Sequence, residues 1–163
     1  MTAPSTVFDT WLAGFVRESG STASVARFVE VVDAAILVQV PEIAGDPVLV
    51  EDLHASTRHQ WLSFLSTASQ PDHRLVLPSQ AADLARSLAR RGEDLSALLK
   101  VYRAAHRGIF TYMTEVVDGL GEEDPDGEEV FRWIWNRADL WVDDSVEALM
   151  EIFYEERQRM HEG

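Results

Sequence analysis

The residues best suited to chemistry fall in one helical stretch. Tyr102, Arg103, His106 and Arg107 lie within two turns of one another, and residues three or four apart share a helix face. His106 sits close to an apolar stripe of Leu95, Leu98, Tyr102, Ile109, Met113 and Val116. A histidine in such a place can be an axial ligand to haem iron in a helical sensor. More often it is hydrogen-bonded to a neighbour. The spacing therefore predicts Tyr102 and His106 as an i, i+4 pair in a buried polar network. Arg103 and Arg107 are like charges at i, i+4, which costs helix stability unless acids answer them. Those acids belong either to the fold, to a second copy, or to a small anionic effector.

Other spacings carry less. Glu51 and His54 make one Glu-x-x-His pair, but a di-iron bundle needs two such pairs and two further glutamates. Glu122, Asp124, Asp126 and Gly127 imitate the start of a calcium loop. Pro125 interrupts it, and Trp133 stands where the bidentate glutamate should be. Nucleotide, phosphate-loop, hydrolase and zinc-protease motifs are missing. With zero cysteines, thiol nucleophiles, disulfides and Cys-ligated metals are excluded. No paired catalytic constellation emerges, so the expectation is a protein that is not an enzyme and carries no cofactor.

Charge points the same way. The 163 residues hold 14 Lys+Arg against 28 Asp+Glu, a net charge of −14. Such a surface repels nucleic acid and anionic membrane. No apolar run reaches the ~20 residues of a membrane span. The N-terminus has neither a basic nor an apolar signal region, so a cytoplasmic protein is expected. The charge is uneven. Arg86 to Arg107 carries six basic and two acidic residues, while Glu115 onward carries sixteen acidic and four basic. Pairing of the basic segment with the acidic last helix follows, and an acidic stripe of Asp143, Glu147, Glu151 and Glu155 reads as a solvated face.

The elements that position these residues are helices. Apolar residues recur at helical spacing almost throughout, and breakers come far apart. An all-α chain of about six helices is predicted, globin-like or a helical bundle, as a single domain over 1–163 with residues up to about 22 forming an N-terminal helix and turn. The first helix spans Val7–Glu18, with Thr6 and Asp9 at capping-box spacing. The second spans about Ala23–Val40, capped by Thr22 or Ser24. Its tail, Leu37-Val38-Gln39-Val40, can also be read as a strand. Asp46-Pro47 starts the third helix, and Gln70-Pro71-Asp72-His73 is a loop. The fourth runs Gln80–Arg91 with Gly92 at its C′ position, and Asp94 caps the fifth, Leu95 to about Val117. The sixth, Glu128–Met160, is long enough for its end to project.

That last helix has apolar residues on more than one side. Phe131, Ile134, Trp135, Ala138, Trp141, Val142, Leu149, Ile152 and Phe153 define a wide face, and Trp133 and Leu140 lie elsewhere. Extra apolar surface on a helix needs extra burial. A homodimer is the expected source, with Trp133, Leu140 and Trp141 as candidate interface residues. The wide face of the second helix is a further candidate.

The block Arg90-Arg91-Gly92-x-x-Leu95-x-x-Leu98-Leu99-x-x-Tyr102-Arg103-x-x-His106-Arg107 resembles the N-terminal domain of PucR-like transcription regulators. That domain is akin to the N-terminal domain of RsbT co-antagonist (RsbR-type) proteins. Val40-Pro41-Glu42-Ile43 to Asp46-Pro47 and the Tyr154-Glu155-Glu156-Arg157 end agree with it. The likeness covers roughly Val25 to Arg159. Two positions depart: Ala105 stands where a glycine often precedes the motif histidine, and Phe110 where a tryptophan often follows. The resemblance implies a globin-like or bundle-type regulatory domain, without haem in the stressosome relatives, that dimerises and feeds a DNA-binding output lying on a separate helix-turn-helix domain. It also leaves open a stand-alone partner-binding module of an anti-sigma or stressosome-type cascade.

Overall fold

Prolines, a glycine and short polar caps divide the chain into helices. The computed structural model describes residues 3–70, 74 and 76–162, with side chains from residue 7 onward at the N-terminus. The expected loop residues Pro71, Asp72 and His73 lie outside the described residues. Among the described residues there are seven helices and no strand. They are α1 (Ala3–Ser19), α2 (Thr22–Gln39), α3 (Pro41–Ala44), α4 (Pro47–Ala68), α5 (Ser79–Arg90), α6 (Leu95–Asp118) and α7 (Gly127–Glu162).

Local chemistry explains the boundaries. Ser21, not Thr22 or Ser24, caps α2, its hydroxyl accepting from the Ser24 N–H. Thr6 falls inside α1 rather than ahead of it. The valine-rich tail of α2 stays helical through Gln39, ending at Val40 with φ −125° and ψ 79°. Pro41 then begins the short α3, which raises the helix count above expectation. A proline suits a first helical position because its missing N–H would have no partner there. Asp46 caps α4, accepting from the N–H groups of Val48 and Leu49. Gly92 has φ +75°. Gly92 N–H bonds to Ala89 O and Glu93 N–H to Leu88 O, the paired bonds that close a helix through a left-handed residue. Asp94 occupies the N-cap of α6 but makes no side-chain cap bond.

Packing follows from the apolar faces. α2 lies along α6, α4 packs on α5 and α2, and α7 packs on α5 and α6. α1 lies across α4 and α2, where Phe8, Leu12 and Phe15 enter the core. At the α2–α6 crossing, a Cβ on Gly108 would stand 2.8 Å from the Val32 Cα. Only glycine allows that approach.

The many apolar sides of α7 are met largely by the chain itself. Val130, Ile134, Ala138, Leu149 and Phe153 are buried. Trp133 packs on Phe8 of α1, with the Arg137 guanidinium over its ring. Trp141, expected between copies, is 5% exposed and sits inside the core. Its period along α7 matches Ile134 and Ala138, so the helix turns it inward. Leu140 stays on the surface. The 36 residues of α7 span roughly 54 Å at about 1.5 Å each, and side chains 158–162 are exposed.

Candidate functional site

The interior holds a polar hub that includes Tyr102 and is centred on Gln60, a residue its spacing does not single out. Gln60 on α4 donates from Nε2 to the Tyr102 hydroxyl on α6, at 2.8 Å. Its Oε1 accepts from the Trp141 indole N–H on α7, also at 2.8 Å, and from the Ser145 hydroxyl at 3.5 Å. One amide thus ties α4, α6 and α7 together. Burial pushes the Tyr102 phenol up to about 12, against hydrogen bonds to Gln60 and Ser56 that pull it down. Tyr102 is therefore a neutral phenol at any ordinary pH. Two small spaces flank the hub, of about 60 Å³ beside Tyr102 and about 50 Å³ beside Trp61.

Tyr102 and His106 do not form one network. Tyr102 turns toward α4, whereas His106 turns toward α7. The His106 ring stacks on Trp135 with centroids 4.4 Å apart. Its Nε2 lies 3.2 Å from Asp139 Oδ1 but off the line a hydrogen bond needs. Phe110, Phe131 and Trp135 extend this aromatic row along the α6–α7 groove. Arg103 and Arg107 are exposed beside it. No carboxylate among the described residues lies within ion-pair distance of either. Of the candidate ligand residues, only Tyr102 borders an interior space. The His106 ring face is taken by Trp135, and neither interior space borders it.

A second polar cluster joins α2 to α4. Asp33 is 1% exposed. Its Oδ1 accepts from the Thr57 hydroxyl and its Oδ2 faces His54 Nδ1, each at 2.6 Å. Burial raises the Asp33 carboxyl above the usual aspartate range, outweighing Thr57 and His54, which pull it down. His54 thus turns to Asp33, not to Glu51 one turn away, and Glu51 is exposed. The signal was available: an aspartate beside Val29, Val32 and Ile36 on the core face of α2 needs partners.

The charge asymmetry resolves into several pairings. Arg90 on α5 donates to Glu156 on α7 at 2.8 Å, and beside it Glu156 is held below the usual carboxylate range. Arg91 instead meets Asp46 at 2.6 Å, and Lys100 faces Glu42 at 3.7 Å. Pairing with α7 therefore holds for Arg90, while Arg91 and Lys100 anchor the α3–α4 corner. Asp143, Glu147, Glu151 and Glu155 form an exposed stripe on α7. Asp124, in the acidic loop, accepts from the Gly121 N–H at 2.8 Å. Among the described residues, no helix is long and apolar enough to cross a membrane.

Comparison with curated proteins and with solved structures finds no match. Residues 25–163 match the family described as the RsbT co-antagonist protein rsbRD N-terminal domain. That bears out the RsbR-type part of the resemblance and gives the PucR part no support. The match begins within α2, so α1 precedes it. Families of this kind supply signalling input, and with the match spanning most of its length the chain belongs to the RsbT co-antagonist N-terminal domain family.

Proposed function

We propose that this chain is the non-catalytic signal-input module of a bacterial transcription regulator and works as a homodimer. Family membership supports the signalling role. The observation that carries the dimer is the surface of the α6–α7 groove. Phe110 is 47% exposed, beside the half-buried Phe131 and Trp135. Arg103 and Arg107 flank this strip on α6, and Asp143 and Glu147 lie exposed on α7. A twofold axis across the strip would bury the aromatics and set the arginines of one copy against acids of the other. A self-complementary patch is what a twofold interface requires. Of the residues expected at the interface, Leu140 is exposed on the side of α7 that carries Trp133, Trp133 is shared with α1, and Trp141 is within the core.

Sedimentation at micromolar concentration tests this. A species of twice 18.3 kDa is expected, converted to monomer by Phe110→Asp. A wild-type monomer would remove the dimer.

The family's description as RsbT co-antagonists favours a second reading, a stand-alone module that binds a protein of an anti-sigma or stressosome-type cascade. Co-sedimentation of the chain with RsbT would support it.

A further inference from the structure

One indole in the core lacks a partner. Trp61 is 4% exposed and stacks between Phe28, at 4.0 Å, and Phe64, at 5.5 Å. Its Nε1–H meets no hydrogen-bond acceptor. A buried donor left unmet is costly, and native proteins rarely keep one without an occupant to meet it. Trp141 borders the same space and does have its acceptor, Gln60. The space itself, about 50 Å³, lies between α4, α6 and α7. It adjoins the 60 Å³ space beside Tyr102 across Gln60, Ile109, Trp141 and Val142. No charged side chain borders either one.

We propose that the space beside Trp61 binds a small uncharged molecule with one hydrogen-bond acceptor, a short ketone, ether or alcohol. The chemistry of the walls sets the class. Apolar side chains with no charge reject ions. An unmet N–H selects an acceptor. The volume admits roughly two to five heavy atoms, since about 10–15 Å³ already holds a water and a 150 Å³ cavity holds benzene. The occupant touches α4, α6 and α7 together. It therefore favours whichever packing of α7 leaves the space open, and a ligand with different affinity for two packings shifts their populations. This role as an input rests on the signalling reading above, whereas the binding itself does not.

Binding can be read by NMR on the full chain. Indole ¹⁵N signals report Trp61, and the ¹³C-methyl of Met113, which borders the space, gives a second reporter. The probes are propanone, which offers an acceptor, and xenon, which does not. Propanone is expected to move the Trp61 and Met113 signals along a saturating curve while Trp11 and Trp133 stay still. In Trp61→Phe, propanone affinity read at Met113 should fall tenfold or more, with xenon affinity unchanged within twofold. Ala138→Leu, which fills the space, should abolish both; should that variant not fold, Trp61→Phe carries the comparison alone. Shifts that rise linearly without saturation, or equally at every indole, would mean the space holds water only and overturn the proposal. Equal propanone affinity in Trp61→Phe would overturn it too. Sedimentation with and without saturating propanone separates the two readings: a monomer whose Met113 still titrates loses the dimer but keeps the site.

Discussion

Replacing Gln60 with leucine would keep most of its bulk and remove every hydrogen bond it makes. The Tyr102 hydroxyl would lose one of its partners, and the Trp141 N–H would lose its acceptor. Lost bonds to buried polar groups cost about 1–3 kcal/mol each. Urea unfolding of Gln60→Leu should show a loss of that size. A change within ~0.5 kcal/mol, as at an ordinary surface position, would mean the hub carries little. Asp33 gives a pH-dependent test. Its carboxyl is raised, so the folded protein holds that proton more tightly than the unfolded chain does. The stability tied to this group is full below the ordinary aspartate pKa and is lost as pH rises through the raised value. Compared with Asp33→Asn, wild type should therefore lose relative stability as pH climbs from about 4 toward neutrality. Melts of both proteins across that range should diverge in this direction, and parallel curves would contradict it. Neither residue stood out in the sequence. Gln60 looks like any polar residue on a helix, because its partners lie 42 and 81 positions away. Asp33 did carry a signal, a charge among valines, but its partners sit on another helix.

The elements were far more legible. Asp46-Pro47 and Gly92 punctuate the chain by local stereochemistry, which needs no knowledge of tertiary partners, and the structure turns at both. The first helix begins a few residues before the expected Val7, with Pro4 in its first turn. Gly108 shows the limit of local reading. In the middle of a helix a glycine costs about 1 kcal/mol relative to alanine, so propensity alone favours Gly108→Ala. The crossing argues the reverse, because the added methyl would press on the Val32 backbone. Overpacking typically costs about 1–3 kcal/mol, and backbone cannot rotate away. Gly108→Ala should lower the melting temperature, and an unchanged or raised value would show that α2 and α6 can part cheaply.

At the scale of the molecule, α1 stands apart because the family match starts after it. Phe8 and Phe15 nevertheless cover Trp133 and Trp61. Deleting residues 1–20 should red-shift tryptophan emission and increase binding of an apolar dye. A loss of about 2 kcal/mol would lower Tm by roughly 4–8 °C in a domain of this size. Unchanged emission and Tm would make α1 a passive appendage. The same contacts explain why the tryptophans of α7 suggested more uncovered surface than exists. Three indoles within nine residues read as excess, yet α1, α4 and α6 come from distant parts of the chain to meet them. What remains uncovered is the narrower strip around Phe110, with Leu140 exposed on another side of α7.

The Gly108 crossing also decides where this molecule can bend. Main chain pressed on main chain has no rotamers with which to yield, so α2 and α6 act as one stiff chassis. Amide protons along that seam should exchange last, and any deformation must be taken up on the far side, by α7 pivoting against a frame that stays put.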